Sequence, residues 1–146
     1  MTRAPVLTCT LRRVDQVPDD LDAAYDDEPL DGTQVYLDAA WHALHFLLTV
    51  DTDEYSPLGF LAEPTRALDA ETVEAIDEEL GYVSAEQLRA RFDPARLREA
   101  SIQPPIWERP PAEDDALGWV LGYFMQLQAL VHEAAKERQS LLLWFA

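Results

Sequence analysis

Residues 36–50 read YLDAAWHALHFLLTV. Apolar side chains recur in this stretch three and four positions apart, which is the spacing of one face of an α-helix. Ala39, Ala43 and Phe46 make the opposite side largely apolar as well. We therefore predict a mostly buried helix over residues 36–50, around which the rest of the chain must pack.

A narrow polar stripe crosses this apolar helix. Asp38, His42, His45 and Thr49 follow one another at i, i+4, i+7 and i+11, so they would share one helix face. Two imidazoles with a carboxylate one turn earlier can converge on a divalent metal or act as acid and base. The candidate ligand or pocket residues are Asp38, Trp41, His42 and His45.

The same stripe also fits a structural role. In that interpretation His42 and His45 are partly buried and hydrogen-bonded to the backbone, to Asp38 or to acids of the next element. The His-x-x-His pattern has no neighbouring Glu or Cys, unlike known zinc hydrolase motifs, so a third ligand such as His132 would have to come from elsewhere. A structural pair, a ligand pocket and a catalytic site all remain open; no catalytic residue is assigned and no metal is identified.

The flanking segments predict strands at both ends of the chain. Residues 6–13 alternate between apolar and polar side chains, as a half-buried strand does, while residues 141–145 are continuously apolar, as in a central strand. Residues 57–62 read as a turn and a short strand. A long helix is expected from about residue 113 to residue 138, with Gly118 and Gly122 spaced to let another backbone approach.

Shorter helices fill the interval between these elements. One is expected after Pro18, one is capped by Asp69 and ended by Gly81, and a Ser84 to Gln87 capping box begins the next. Asp93-Pro94 begins another. The prediction is an α+β fold in a single domain, residues 1–146, with a small, mostly antiparallel sheet packed by the long C-terminal helix and the buried His-bearing helix.

The chain is strongly acidic. It has 28 Asp and Glu against 11 Lys and Arg, a formal net charge of −17, and eight of the acids fall within residues 15–31. Such a charge repels nucleic acid and anionic lipid, so neither is an expected partner. The simplest interpretation is a solvated acidic surface on a monomer or small homo-oligomer; the alternative is a surface that attracts a basic protein partner over a distance.

Compartment and cofactor expectations follow from what the sequence lacks. Its apolar runs are shorter than the roughly 20 residues of a spanning helix, and its first residues do not resemble a signal peptide. We therefore expect a cytoplasmic protein. The single Cys9 permits no internal disulfide and reads as a buried thiol. No glycine-rich phosphate loop is present, and no cofactor is expected.

Several motifs together resemble a known family. They are DAAWHALHFLLT at residues 38–49, Pro57-Leu58, IQPPIW at residues 102–107, and the terminal helix followed by an apolar strand. In this order and spacing the chain is similar to the YfbM-like family of bacterial proteins. That resemblance implies a single-domain α+β fold. The family is uncharacterised in function, so the resemblance brings no catalytic residues.

Two classes of function follow from these observations. The leading hypothesis is a non-enzymatic, immunity- or adaptor-type interaction protein, whose acidic segments Asp19 to Asp31 and Glu71 to Glu79 dock on a basic partner. The alternative is a small metal-dependent binder or enzyme that uses the stripe of Asp38, His42 and His45.

Overall fold

A computed structural model describes residues 7–30, 32–50, 52, 56–62, 66–110 and 115–146. Within these ranges three strands lie in the first half of the chain, four consecutive helices follow, and a fourth strand ends it. In order they are β1 (Cys9–Val14), α1 (Leu21–Tyr25), β2 (Gln34–Asp38), α2 (Trp41–Thr49), a 3-10 helix (Pro57–Ala62), β3 (Ala67–Leu68), α3 (Ala70–Gly81), α4 (Ala85–Arg91), α5 (Pro94–Glu99), α6 (Ala116–Lys136) and β4 (Ser140–Phe145).

A four-stranded sheet organises the molecule. The strand order is β2-β1-β4-β3, and every neighbouring pair is antiparallel. β4 lies between β1 and β3, and its central residues, Leu141 to Trp144, are all buried. The α+β class, the small antiparallel sheet and the central C-terminal strand are thus confirmed.

The two faces of the sheet have different coverings. Cys9, Leu11 and Leu143 belong to the main core, which also contains the buried faces of α2, α3 and α6. On the other face, Leu142 and Trp144 form a smaller cluster with Ala24 of α1, and Leu21 packs against it. Side chains of a strand alternate between faces, so β1 and β4 each contribute to both layers.

The helix boundaries agree well with the sequence pattern. Asp69 caps α3 through the Thr72 amide, and both hydrogen bonds of the predicted Ser84 and Gln87 capping box are present at the start of α4. α6 is 21 residues long and begins at the cap Asp115. The expected earlier start of α6, at residue 113, lies outside the described residues, as does Val6 of the predicted first strand. No helix in the described ranges has the length and apolar character needed to cross a bilayer.

The prediction of one helix over residues 36–50 is wrong at its N-terminal end. Residues 34–38 form β2, and only Trp41–Thr49 is helical. Leu37 is buried and Val35 packs against the core, whereas Tyr36 between them is 49% exposed, which is the period of two of a strand. At Asp38 the backbone takes a positive φ of 53°, which ends the strand before α2 begins.

Two further local predictions are also wrong. Residues 57–62 form a 3-10 helix instead of a strand, and Leu58 and Leu61, three residues apart, bury the same side of it. Gly118 and Gly122 do not admit another backbone. A Cβ at Gly122 would meet nothing within 4 Å, and one at Gly118 would meet the side chain of its own cap residue, Asp115.

Candidate functional site: an imidazole cleft and an acidic surface

Side chains from the first two turns of α2 line a surface cleft. Its volume is about 390 Å³, and three of the four predicted site residues line it. The 3-10 helix and the end of β4 supply the facing walls. The lining residues are Leu7, Trp41, His42, His45, Leu61, Ala62 and Phe145.

Trp41 is the fixed aromatic wall of this cleft. Its indole Nε1–H donates to the carbonyl of Leu7 at 2.9 Å. Its ring meets Phe145 edge-on at 5.0 Å and stacks on the imidazole of His42 at 5.2 Å, both measured between ring centroids. A ring held by a hydrogen bond and by neighbours on two sides offers a ligand a preorganised apolar surface.

His42 is held in one orientation by the backbone. Its Nδ1 accepts a hydrogen bond from the N–H of Gln103 at 3.1 Å. Burial lowers the pKa of His42, which favours the neutral ring. A neutral imidazole whose Nδ1 accepts must carry its proton on Nε2. His42 therefore presents a hydrogen-bond donor.

His45 lies one turn further along α2 and has an unpaired nitrogen. Its Nδ1 is closed off from solvent and has no hydrogen-bond partner among the described residues. Burial, and secondly the charge on His42, lower the pKa of His45. Thr49, the last residue of the predicted stripe, donates its hydroxyl to the carbonyl of His45 at 2.7 Å, so it serves the helix backbone.

Asp38 does not belong to this cleft. It ends β2 and is not on the helix, and its Oδ1 accepts the N–H of Ala39 at 2.8 Å. The predicted alignment of Asp38 with His42 and His45 fails because the strand and the turn after it replace the first helical turn. Sequence reasoning placed the two imidazoles together correctly, and the carboxylate incorrectly.

The structure also separates His132 from the two imidazoles. His132 lies on α6, with its Nδ1 3.3 Å from Oδ1 of Asp77 on α3, and it does not line the cleft. Throughout the described ranges, no three His, Cys, Asp or Glu side chains are grouped so that they could hold a metal ion. The residues described here thus supply no third metal ligand for His42 and His45.

A second candidate surface lies on the side of the sheet that α1 covers, opposite the side with the cleft. We call it the acidic surface and define it as the exposed acids Asp19, Asp20, Asp22, Asp26, Asp27 and Glu28. Asp22 forms a salt bridge with Arg66 at 2.9 Å. Asp31, which belongs to the predicted acidic segment, lies outside the described residues.

Two half-exposed tyrosines accompany the acidic surface. Tyr25 of α1 is 43% exposed and contacts Trp144 of β4, with 5.4 Å between the ring centroids. Tyr36 of the edge strand β2 is opposite Thr10, which is in turn opposite Trp144, so the three side chains share one sheet face. Tyr25 and Tyr36 thus lie on the same face of the sheet as α1.

Comparison with known proteins places the chain in a family. The model of a domain of unknown function, DUF1877, matches residues 10–144. The chain belongs to the DUF1877 family. Its fold is similar to the crystal structure of YfbM from Escherichia coli, a protein of unknown function, with a TM-score of 0.68 and 18% identity over 94% of this chain and 98% of that one. No curated protein matches the sequence.

The sequence of this DUF1877 chain did not predict the role of Arg12, which holds α1 and the acids around it against the sheet. Arg12 is only 7% exposed, and its guanidinium donates to the carbonyls of Ala24 and Asp27 and to Oε1 of Gln34. It also lies over the ring of Trp144, 4.9 Å from the centroid. Alternation in β1 predicts only that Arg12 is on the polar face. That this face is covered by α1 cannot be deduced from the local pattern.

Proposed function

We propose that this DUF1877 protein is a non-enzymatic interaction module, of the immunity or adaptor type, whose acidic surface binds a basic protein. The observation that carries the proposal is the combination of uncompensated carboxylates and exposed aromatic rings on one face. Within the described residues, the side chains of Asp26, Asp27 and Glu28 form no ion pair. Tyr25 and Tyr36 lie on the same face of the sheet.

The charge supports attraction of a basic partner over a distance. The formal net charge is −17, and Arg12 and Arg66, which both contact α1, already have partners. Arg66 pairs with Asp22, and Arg12 is buried beneath α1. Complementary charge raises association rates and disfavours partners of the wrong sign. Nucleic acid and anionic membranes are therefore poor candidates for this surface.

The tyrosines can contribute binding free energy through buried apolar contact area, which carboxylates alone do not provide. Exposed ion pairs contribute little free energy, whereas buried Tyr, Trp and Arg side chains dominate typical protein interfaces. Tyr25 is already supported by Trp144, and Tyr36 is held in a strand, so both lose little conformational freedom on binding. A partner rich in Arg would find both carboxylates and ring faces here.

Affinity capture at low salt tests this proposal. The purified protein is immobilised, exposed to native lysate of its source cells, and eluted with a salt gradient. We expect a basic protein at near-equimolar ratio that elutes as salt rises, because screening weakens exposed charge pairs. Retention that does not change with salt, or the capture of no basic protein, would contradict the proposal.

A pair of charge-matched variants distinguishes a specific surface from bulk charge. Asp26→Asn/Asp27→Asn/Glu28→Gln removes three charges from the acidic surface. Glu71→Gln/Glu74→Gln/Glu78→Gln removes three from exposed positions of α3, the second acidic segment of the sequence hypothesis. This helix packs on the main core, whereas α1 packs on the other face of the sheet, so Glu71 to Glu79 are left out of the proposed surface. The first variant should lose the captured protein and the second should keep it. An equal loss in both would show that only the total charge matters.

A further inference from the structure

We infer that the cleft beside α2 is a binding site for a small organic carboxylate with an apolar body, held by the imidazoles of His42 and His45 against Trp41. This site is separate from the proposed interaction surface. Phe145 and Trp144 are neighbours in β4 and face opposite sides of the sheet, and the cleft lies on the side of Phe145.

The two imidazoles each leave one nitrogen available to the cleft. Nδ1 of His42 is occupied by the N–H of Gln103, and Nδ1 of His45 is shut off from solvent. Nε2 is therefore the free nitrogen of both rings. At His42 it carries the proton, as the Nδ1 hydrogen bond requires. At His45 a buried Nδ1–H would be an orphaned donor, which is the rarer kind of unpaired group, so Nε2 is favoured there too.

Two donors three residues apart on one helix suit a group with two acceptor oxygens. Residues at i and i+3 lie side by side on a helix surface, so both Nε2–H groups can reach one carboxylate. Apart from the imidazoles, the lining residues are apolar or aromatic. Such a site, mainly apolar with a few convergent polar groups, is the usual form of a small-molecule pocket.

The size and charge of the cleft limit the class of ligand that it can hold. A volume of about 390 Å³ is at the low end of the range for ligand pockets. Among the described residues that line the cleft there is no Lys or Arg, and the chain as a whole is strongly negative. A multiply charged phosphate is therefore disfavoured relative to a monocarboxylate. The faces of Trp41 and Phe145 provide contact area for an aryl or alkyl body.

Histidine NMR during titration with phenylacetate tests the inference. The chain has three histidines, so their ring signals can be assigned by substitution. We expect saturable shifts of the His42 and His45 signals. His132, which is exposed and paired with Asp77, serves as the internal control and should not shift. No saturable shift at up to about 20 mM phenylacetate, or equal shifts of all three rings, would overturn the inference.

Two comparisons identify which part of the ligand is recognised. Phenylacetamide has the same body without the charge and should bind the unaltered protein roughly tenfold more weakly than phenylacetate. Equal binding of the two would overturn the carboxylate assignment even if variants failed to fold. The His42→Gln/His45→Gln variant should lose phenylacetate binding by roughly tenfold or more, and His132→Gln should retain it. Loss in both variants would also overturn the inference.

Discussion

At the scale of single residues, Cys9 shows what burial does to a reactive group. The side chain has no exposed surface, and burial raises the pKa of its thiol to about 12. The thiolate is the reactive form of cysteine. Native protein should therefore not react with a thiol reagent at about pH 8, whereas each unfolded chain should react with one equivalent of the reagent. Absorbance during reaction with Ellman's reagent measures this. Rapid reaction of the native state would show that β1 opens readily.

His42 and His45 should make stability depend on pH near neutrality. Burial lowers the pKa of both rings in the folded state, so below about pH 6.5 the unfolded chain binds more protons. The free energy of unfolding should therefore fall as the pH drops through that region. Urea unfolding at about pH 7.5 and about pH 5.5 should show a larger fall for unaltered protein than for His42→Gln/His45→Gln.

The exposed His132 provides the control for that comparison. His132→Gln removes a histidine that lies outside the cleft, so it is the matched substitution control for the double variant. If the double variant loses as much stability between the two pH values as the unaltered protein, neither cleft imidazole is held neutral in the folded state.

At the scale of helices and strands, the two glycines of α6 should respond differently to alanine. A Cβ at Gly122 meets nothing within 4 Å, so Gly122→Ala should raise the free energy of unfolding by about 0.5–1 kcal/mol. At Gly118 the new Cβ would collide with the carboxylate of Asp115, which caps the helix by accepting the Gly118 N–H at 3.0 Å. Gly118→Ala should therefore gain less or lose stability. Equal gains in thermal unfolding would contradict this geometry.

The attachment of α1 should depend on Arg12. Replacing it with Leu removes two charge-assisted bonds to the carbonyls of Ala24 and Asp27 and leaves both without that donor. We expect Arg12→Leu to lower the free energy of unfolding by about 3 kcal/mol and to raise amide exchange in residues 21–27. Arg13→Leu, one position along β1, tests for a general loss of charge and should leave exchange in that segment unchanged.

Element boundaries near α2 show where a local pattern stops being informative. From Trp41 onward the helical period is unbroken and the prediction is correct. Before it, Leu37 and Ala40 fit a helical face as well as they fit the end of a strand followed by a turn. Pairing of β2 with β1 decides the matter, since it satisfies backbone groups through residues far away in the sequence. The misplacement of Asp38 in the candidate site follows from this ambiguity.

At the scale of the whole molecule, the sequence predicts the layers better than the contacts between them. The apolar run at residues 141–145 indicates a central strand, and β4 is one. Composition likewise indicates an acidic surface. Two contacts are not predicted by the sequence. Arg12 of β1 donates to the carbonyl of Ala24 in α1, and the N–H of Gln103 donates to Nδ1 of His42. Both contacts join segments more than ten residues apart, and no local periodicity encodes them.

The affinity of the captured basic partner, measured over a range of salt concentrations, tests the central claim most directly. Calorimetric titration between about 50 and about 500 mM salt should show affinity falling steeply. At low salt, Asp26→Asn/Asp27→Asn/Glu28→Gln should bind about tenfold more weakly, while Glu71→Gln/Glu74→Gln/Glu78→Gln should remain close to the unaltered protein. Equal affinities for all three proteins, or an affinity that does not change with salt, would contradict the assignment of the acidic surface as the binding face.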